Sequence, residues 1–407
     1  METERNTMLS AANLLEELLA RARLVTETTT LTLAETLGRV LAQAQVSAIT
    51  VPPLDNSAMD GYAVRTADVA TRGIRLPISQ RIAAGQVGTS LQPGTAARIF
   101  TGAPIPQGAD AVLMQEDCTA DGQTVIVNKE PHNGENIRRA GEDIVIGAEI
   151  LLAGTRIGPA EIGLAASVGL DKLPALRRLK VACFFTGDEL VTPGEPLAPG
   201  QIYNSNRYTL TGLVNGLGCE LIDMGIVPDT LEATTEAVRH AASVADVVVT
   251  SGGVSVGEAD YVKAAVEALG KVEMWKVAMK PGKPIVYGRV GDADFIGLPG
   301  NPVSAFVTFC LFVRPFLLKR MGAAQVLYRA FPVKAGFAWT RSGARREFLR
   351  ARLKADAHGA VARLFPNQSS GVLTSCTWAD GLIDIEIGQT VQPGDWVRFI
   401  PFSELLG

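Results

Sequence analysis

The sequence predicts a multidomain α/β protein: a central, mostly parallel α/β sheet domain with a helical segment, an inserted β-rich domain and a small C-terminal all-β domain. Three observations carry this. Residues 179–327 alternate strand and helix patterns, the signature of βαβ units. Residues 46–146 hold short apolar runs such as "DAVLMQ" and "TVIVN", parted by Gly, Pro, Asp and Asn. From 328 onward, "EFLRARL", "AVARLF", "LIDIEIG" and "DWVRFIPF" alternate apolar and polar residues as strands do. At 407 residues the chain exceeds one ordinary core.

Taken in order, Leu14, Leu15, Leu18, Leu19 and Ala22 share one face of a helix. Thr32 and Glu35 form a capping-box pattern ahead of Leu37, Val40 and Leu41, which predicts a second helix. "GPAEIGLAASVG" returns to helix after the β-rich unit, so residues 1–45 and 147–178 are expected to form one helical linker interrupted by an insertion. In the α/β unit, "KVACFFTGDEL", "CELIDMGIV" and "DVVVTSGGVSVG" read as strands. Between them "NRYTLTGLVNGLG", with an Asn206 cap, and "DTLEATTEAVRHAASVA" read as helices. "EADYVKAAVEALG" is a further helix, "PIVYG" and "DFIGLPG" are strands, and a last helix starts at Asn301.

Composition excludes several classes. With 38 Lys and Arg against 42 Asp and Glu, the formal charge of -4 argues against bulk nucleic-acid or anionic-membrane binding. The apolar run from Val303 to Leu318 is broken by Arg314 and Pro315, which predicts a buried helix rather than a membrane span. Five scattered cysteines write neither a disulfide framework nor a CxxC clip. Together with a start lacking a signal-peptide core, they lead to the expectation of a cytoplasmic protein. Three dispersed histidines leave the chemistry to carboxylates, lysines and backbone.

In open α/β sheets ligands bind beyond the carboxyl ends of the strands. Four loops fall there. "TGDEL" places Asp188 and Glu189, the next loop Asp229, and "SGGVSVGEAD" brings glycines with Asp260 in the following first helical turn. Asp229 and Asp260 could each serve only as helix N-terminal acids. Four converging carboxylates repel one another unless a divalent cation is present, which points to a Mg²⁺–phosphate site. In "KVAMKPGKPIV", Lys280 and Lys283 bracket a stiff Pro-Gly-Pro frame suited to an oxyanion. "GLPGNPVSA" offers Asn301 as a cap and displays Ser304. In "PPLDNSAMDGYAVR", Asp55 and Asp60 sit where no periodicity accounts for them. They are either turn residues or parts of a functional loop.

The motifs "PPLDNSAMDGYAV", "FTGAPIP", "RRAGEDI", "TGDEL", "IYNSNRYTL", "TSGGVSVGEADY", "KPGKP" and "LPGNPVSA", in this order from Pro52 to Ala305, together resemble the molybdopterin molybdenumtransferase (MoeA) family, related to the gephyrin E domain. The resemblance implies a four-domain homodimer with shared active sites. It also implies a Mg²⁺-dependent insertion of molybdate into adenylylated molybdopterin with release of AMP, and a transient contact with the molybdopterin adenylyltransferase. By the same resemblance, Glu189, Asp229 and Asp260 face metal and phosphates, and Lys280 and Lys283 hold molybdate with Arg345 or Arg350 and Ser370. Ser251, Gly252, Gly253, Ser255, Gly257, Pro299, Gly300, Asn301 and Ser304 line the substrate, and Asp60, Thr101 and Asp143 come from the β-rich domain, with Asp60 reaching the partner subunit's crevice. Two other functions fit the same fold. One is a nucleotide-handling protein, such as an adenylyltransferase or pyrophosphatase acting on another pterin-like ligand, which molybdate-dependent AMP release would separate. The other is a scaffold, for which the chain shows neither a fused adenylylation domain nor a long linker.

Overall fold

The computed structural model describes residues 8–253, 261–341, 343–356 and 359–406. Its centre is a six-stranded sheet in the order Glu220–Val227, Lys180–Thr186, Val247–Ser251, Ala293–Leu298, Pro284–Val290, Lys271–Lys276. The first four strands run parallel and the last two antiparallel. The inner strands are apolar on both faces because helices cover both. On one face, Ala182, Phe184 and Val248 pack under the helices Leu231–Val244 and Tyr261–Leu269. The other face buries Val181, Phe185 and Ile296 against Ser205–Gly216 and the long helix Pro302–Arg320.

That long helix is apolar enough to cross a membrane by length and composition, yet 89% of its apolar window is buried in the protein. Pro315 has no amide to donate, and the turn before it, Phe309–Val313, widens into a π-helix.

Three expectations need correction here. Helix Ala11–Arg21 forms as read, with Ser10 Oγ accepting from the Asn13 amide. However, Leu14 and Leu18 enter the core that also holds Val181 and Phe316, so the helix belongs to the α/β unit and not to the 1–45 linker. The Thr32–Glu35 box is made, with the Thr32 amide and hydroxyl both donating to Glu35, but only one 3-10 turn, Leu33–Glu35, follows. Gly38 at φ +73° turns the chain, and Val40 and Leu41 bridge to Arg156 and Ala175 instead of continuing a helix. The strand Thr28–Thr32 pairs antiparallel with Lys172–Leu176, and its threonine-rich run suits a strand. Finally, the cap of Ser205–Gly216 is Asn204, whose Oδ1 accepts from the Arg207 amide. Asn206 lies inside the helix and has another task.

The chain leaves the linker at Gln45–Val46 and returns at Glu149–Leu151, two strands that pair antiparallel. Between them is a six-stranded sheet that includes Gly61–Val64, Ala96–Ile99 and Ala111–Met114. Gly61 must be glycine, since a Cβ there would stand 1.8 Å from the Leu113 carbonyl oxygen. The C-terminal sheet closes on itself, because Arg346–Asp356 pairs with both Gly359–Leu364 and Gly381–Ile385. Its edge is extended by Met279–Lys280, a strand lent by the α/β unit, in parallel register with Arg346–Glu347.

Candidate functional site

Loops after the parallel strands meet Lys280–Pro284 and the turn Gln368–Gly371 around a crevice of about 1220 Å³. It lies where the sheet topology predicts, beyond the carboxyl ends of the strands.

Each wall has a local cause. After Lys180–Thr186, Gly187 takes φ +147° and lets the Glu189 carboxylate lie over it, for a Cβ there would meet Glu189 Oε2 at 2.6 Å. After Glu220–Val227, Thr230 and not Asp229 caps the next helix, accepting from the Ala233 amide. Asp229 is thereby left to the crevice. Burial, then Asp188 and then Glu189, push its carboxyl above the ordinary carboxylate range. After Val247–Ser251, Gly252 and Gly253 take φ +98° and +63°. A Cβ on Gly253 would lie 2.5 Å from Val262 Cγ2, so this turn admits no larger residue.

Asn206 holds the floor. Its Nδ2 donates to Ser251 Oγ at 2.8 Å and to the Gly300 carbonyl at 2.7 Å, and Ser251 Oγ donates to the Pro299 carbonyl at 2.9 Å. One amide thus locks two strand-end loops together. Asn206 is therefore not the cap that its sequence position suggests, and Asn204, two positions earlier, is the local signal for the helix start.

The opposite wall is basic. Lys280 and Lys283 line it with Arg345, whose Nη1 donates to the Met279 carbonyl at 3.4 Å. Lys280 Nζ lies 3.3 Å from Glu347 Oε2, a carboxylate that is 7% exposed and absent from the sequence-level candidates. The register of the lent strand, Lys280 opposite Glu347, creates the pair. Ser370 lines the crevice, and its carbonyl accepts from the Val303 amide at 3.0 Å, tying the C-terminal domain to the long helix.

Of the predicted residues, Glu189, Asp229, Ser251, Gly252, Gly253, Lys280, Lys283, Pro299, Gly300, Asn301, Ser304, Arg345 and Ser370 converge on this crevice. Ser255, Gly257 and Asp260 lie outside the described residues. Arg350 is corrected. It is 1% exposed, and its guanidinium donates to Ser375 Oγ, the Phe348 carbonyl and the Ser369 carbonyl, so it braces the turn carrying Ser370 from behind. Asp60, Thr101 and Asp143 do not line this chain's crevice; all three are exposed on the inserted domain. Asp60 Oδ1 accepts from both the amide and the hydroxyl of Thr101, each at 2.8 Å, which holds its carboxyl below the usual range. Asp55 is structural, accepting from Arg139 Nη1 at 2.6 Å and the Ala140 amide at 2.8 Å.

Asp188, Glu189 and Asp229 form no ion pair among the described residues, and the Asp188 and Glu189 carboxylates raise the energy of ionised Asp229. Hard oxygen donors without a counter-charge suit a divalent cation such as Mg²⁺. Among the described residues no three carboxylates stand close enough to hold a metal by themselves.

Family models cover the chain in turn. The MoeA N-terminal region (domain I and II) matches residues 9–169, the probable molybdopterin binding domain residues 182–319, and the MoeA C-terminal region (domain IV) residues 332–402. A molybdopterin molybdenumtransferase of Haemophilus influenzae is 40% identical over 98% of this chain and 100% of its own length. The chain belongs to the MoeA family. Molybdopterin molybdenumtransferase 2 of Mycobacterium tuberculosis is 39% identical over 88% of this chain and 90% of its own. The crystal structure of a molybdopterin biosynthesis MoeA protein from Pyrococcus horikoshii matches with a TM-score of 0.82 at 28% identity, over 97% of this chain and 100% of that one. As a MoeA protein the chain is a transferase of molybdenum cofactor biosynthesis, and the crevice falls within the segment matched as a molybdopterin binding domain.

Proposed function

We propose that the crevice takes adenylylated molybdopterin and molybdate, inserts molybdenum at the pterin dithiolene and releases AMP. The observation that carries this is the division of one crevice into an acidic wall and a basic wall. Glycine-rich strand-end loops present amides to a pyrophosphate, and Lys280, Lys283 and Arg345 offer donors to a tetrahedral oxyanion. Glu189 and Asp229, with Asp260, would hold Mg²⁺, which when bound neutralises phosphate charge and polarises the anhydride. The chain's own residues do the rest. Asn206 fixes the Ser251 and Gly300 loops at one spacing, and Glu347 holds Lys280 at the lip. The deciding experiment mixes purified protein with adenylylated molybdopterin, Mg²⁺ and molybdate and measures AMP. AMP that appears only with molybdate supports the reading, and AMP released equally without it leaves a nucleotide pyrophosphatase.

We further propose a homodimer in which Asp60, Thr101 and Asp143 complete the partner's crevice. Their exposure on the inserted domain, away from the chain's own crevice, supports this reading. Co-expressed Asp60→Asn and Asp229→Asn chains test it. If the site is shared, one crevice of the heterodimer carries both changes and the other neither, so about half of wild-type activity returns. If each site is confined to one chain, none returns.

A further inference from the structure

A second hollow, of about 490 Å³, lies at the other end of the central sheet. It is lined by Leu37–Gly38 and Arg156–Gly158 on the linker side and by Arg178, Asn215, Gly216 and Gly218 on the α/β side. Arg178 precedes the strand Lys180–Thr186 and Gly218 precedes Glu220–Val227, so the hollow sits at the amino ends of strands whose carboxyl ends carry Glu189 and Asp229. The two sites share no lining residue.

Its guanidiniums are held in place yet have no counter-charge among the described residues. Arg156 Nη2 donates to the Gly216 carbonyl at 3.0 Å, Arg178 Nη1 to the Gly218 carbonyl at 2.9 Å, and Arg39 Nη2, beside them, to the Leu176 carbonyl at 2.8 Å. Each tie uses one of five donors and leaves the rest of the fork available. Among the described residues none of these three arginines forms an ion pair, and Arg156 Nε is buried without a hydrogen-bond partner. Glu161 accepts from the Gly158 amide at 2.9 Å and is engaged there. Burial disfavours the charged forms of Arg39 and Arg156, and Arg178 adds repulsion to Arg39. Keeping desolvated like charges together without a counter-ion is a standing destabilisation that a bound anion removes.

We propose that this hollow binds a small phosphate-class oxyanion, as free phosphate or as a phosphate monoester. The planar guanidinium fork matches phosphate oxygens two at a time, which carboxylate-free arginines in a fixed pose can exploit. A ligand here joins the linker to the α/β unit, since Arg156 comes from one and the Gly216 and Gly218 carbonyls from the other.

The test uses the full chain, titrated with inorganic phosphate and separately with glycerol 3-phosphate, with sodium chloride matching ionic strength. Calorimetry and thermal melting should show saturable binding that chloride does not reproduce. Arg178→Gln, which removes one like charge at an exposed side chain and so should not lower the ligand-free melting temperature, should weaken binding about tenfold or more. Arg156→Gln should do the same, and Lys280→Ala should leave it unchanged. Glycerol 3-phosphate binding at least as tightly as phosphate identifies an ester ligand, and binding tenfold weaker identifies the free ion. The proposal fails if phosphate gives no saturable effect. It fails equally if binding survives both arginine changes but is lost with Lys280→Ala, which would place the anion in the crevice. Loss of self-association by Arg178→Gln with unaltered phosphate binding would make these arginines an interface between copies and overturn the site.

Discussion

The two walls of the crevice solve charge in opposite ways. On the acidic wall Asp229 feels the Asp188 and Glu189 carboxylates with no ion pair among the described residues, and it shows the consequence in a raised pKa. On the basic wall Lys280 already has a counter-charge in Glu347, delivered by the neighbouring domain. The acidic wall therefore carries an unrelieved repulsion at Asp229, whereas Lys280 on the basic wall is neutralised in advance and Lys283 and Arg345 form no ion pair among the described residues. A wall awaiting a cation should respond to substitution through catalysis. A wall with an internal ion pair should respond through both substrate affinity and stability.

The largest effect should come from Asp229→Asn. If Asp229 holds Mg²⁺ as proposed, its loss should lower the rate of AMP release about 100-fold or more even at saturating molybdate. The melting temperature should hold or rise, because a repulsive charge has been removed. An unchanged rate, or a fall in melting temperature that accounts for the loss, would break the contrast on its acidic side.

Next come the lysines. Lys280→Ala and Lys283→Ala should each raise the KM for molybdate about 10- to 100-fold, the worth of one charge-assisted hydrogen bond, with pterin binding little changed. Rescue by high molybdate checks this directly. Failure of rescue, with collapse of pterin binding, would reassign the loop.

The walls also differ in how much of them could be read from sequence. Acids and glycines after strands are local punctuation: the strand pattern fixes where a loop sits, and the residue types fix what it can do. For that reason Glu189, Asp229, Ser251–Gly253 and Lys280–Pro284 were legible. Glu347 was not, because its role depends on a strand from one domain pairing with a strand from another, a register no local pattern encodes. Arg350 shows the same limit from the other side. Its residue type fits an oxyanion, but the closed C-terminal sheet buries it and directs its donors to Ser375, Phe348 and Ser369. Thr32–Glu35 failed differently. The cap was real, but the tertiary pairing of Thr28–Thr32 with Lys172–Leu176 and the turn at Gly38 outweighed local helix propensity.

A smaller effect separates the two lysines. Lys280→Ala strands the nearly buried Glu347 carboxylate and should cost about 1 kcal/mol of stability, reduced from a fully buried pair because the Lys280 side chain is 48% exposed. Adding Glu347→Gln to the same chain should recover most of that loss, a coupling that a double-mutant cycle in urea resolves. Lys283, exposed and outside this pair, should show no such coupling with Glu347. Equal coupling for both lysines would mean that the ion pair holds neither in place.

The smallest effect is a pH dependence on the acidic wall. The folded-state pKa of Asp229 lies above the unfolded value of 3.8, so in the window between them the folded chain keeps a proton that the unfolded chain has lost. Above the window, Asp229 is ionised in both states and its repulsion with Asp188 and Glu189 lowers stability in full; below 3.8 that penalty is absent. A cation that neutralises the wall therefore has most to offer above the window. Mg²⁺ should raise the melting temperature by about 1–3 °C near neutral pH, by mass action on the folded state, and by progressively less as pH falls through the window. In Asp229→Asn both the shift and its pH dependence should shrink together. A Mg²⁺ shift of the same size at both ends of the window, or one undiminished in Asp229→Asn, would mean that the cation binds elsewhere and that the repulsion on this wall is relieved by something other than metal.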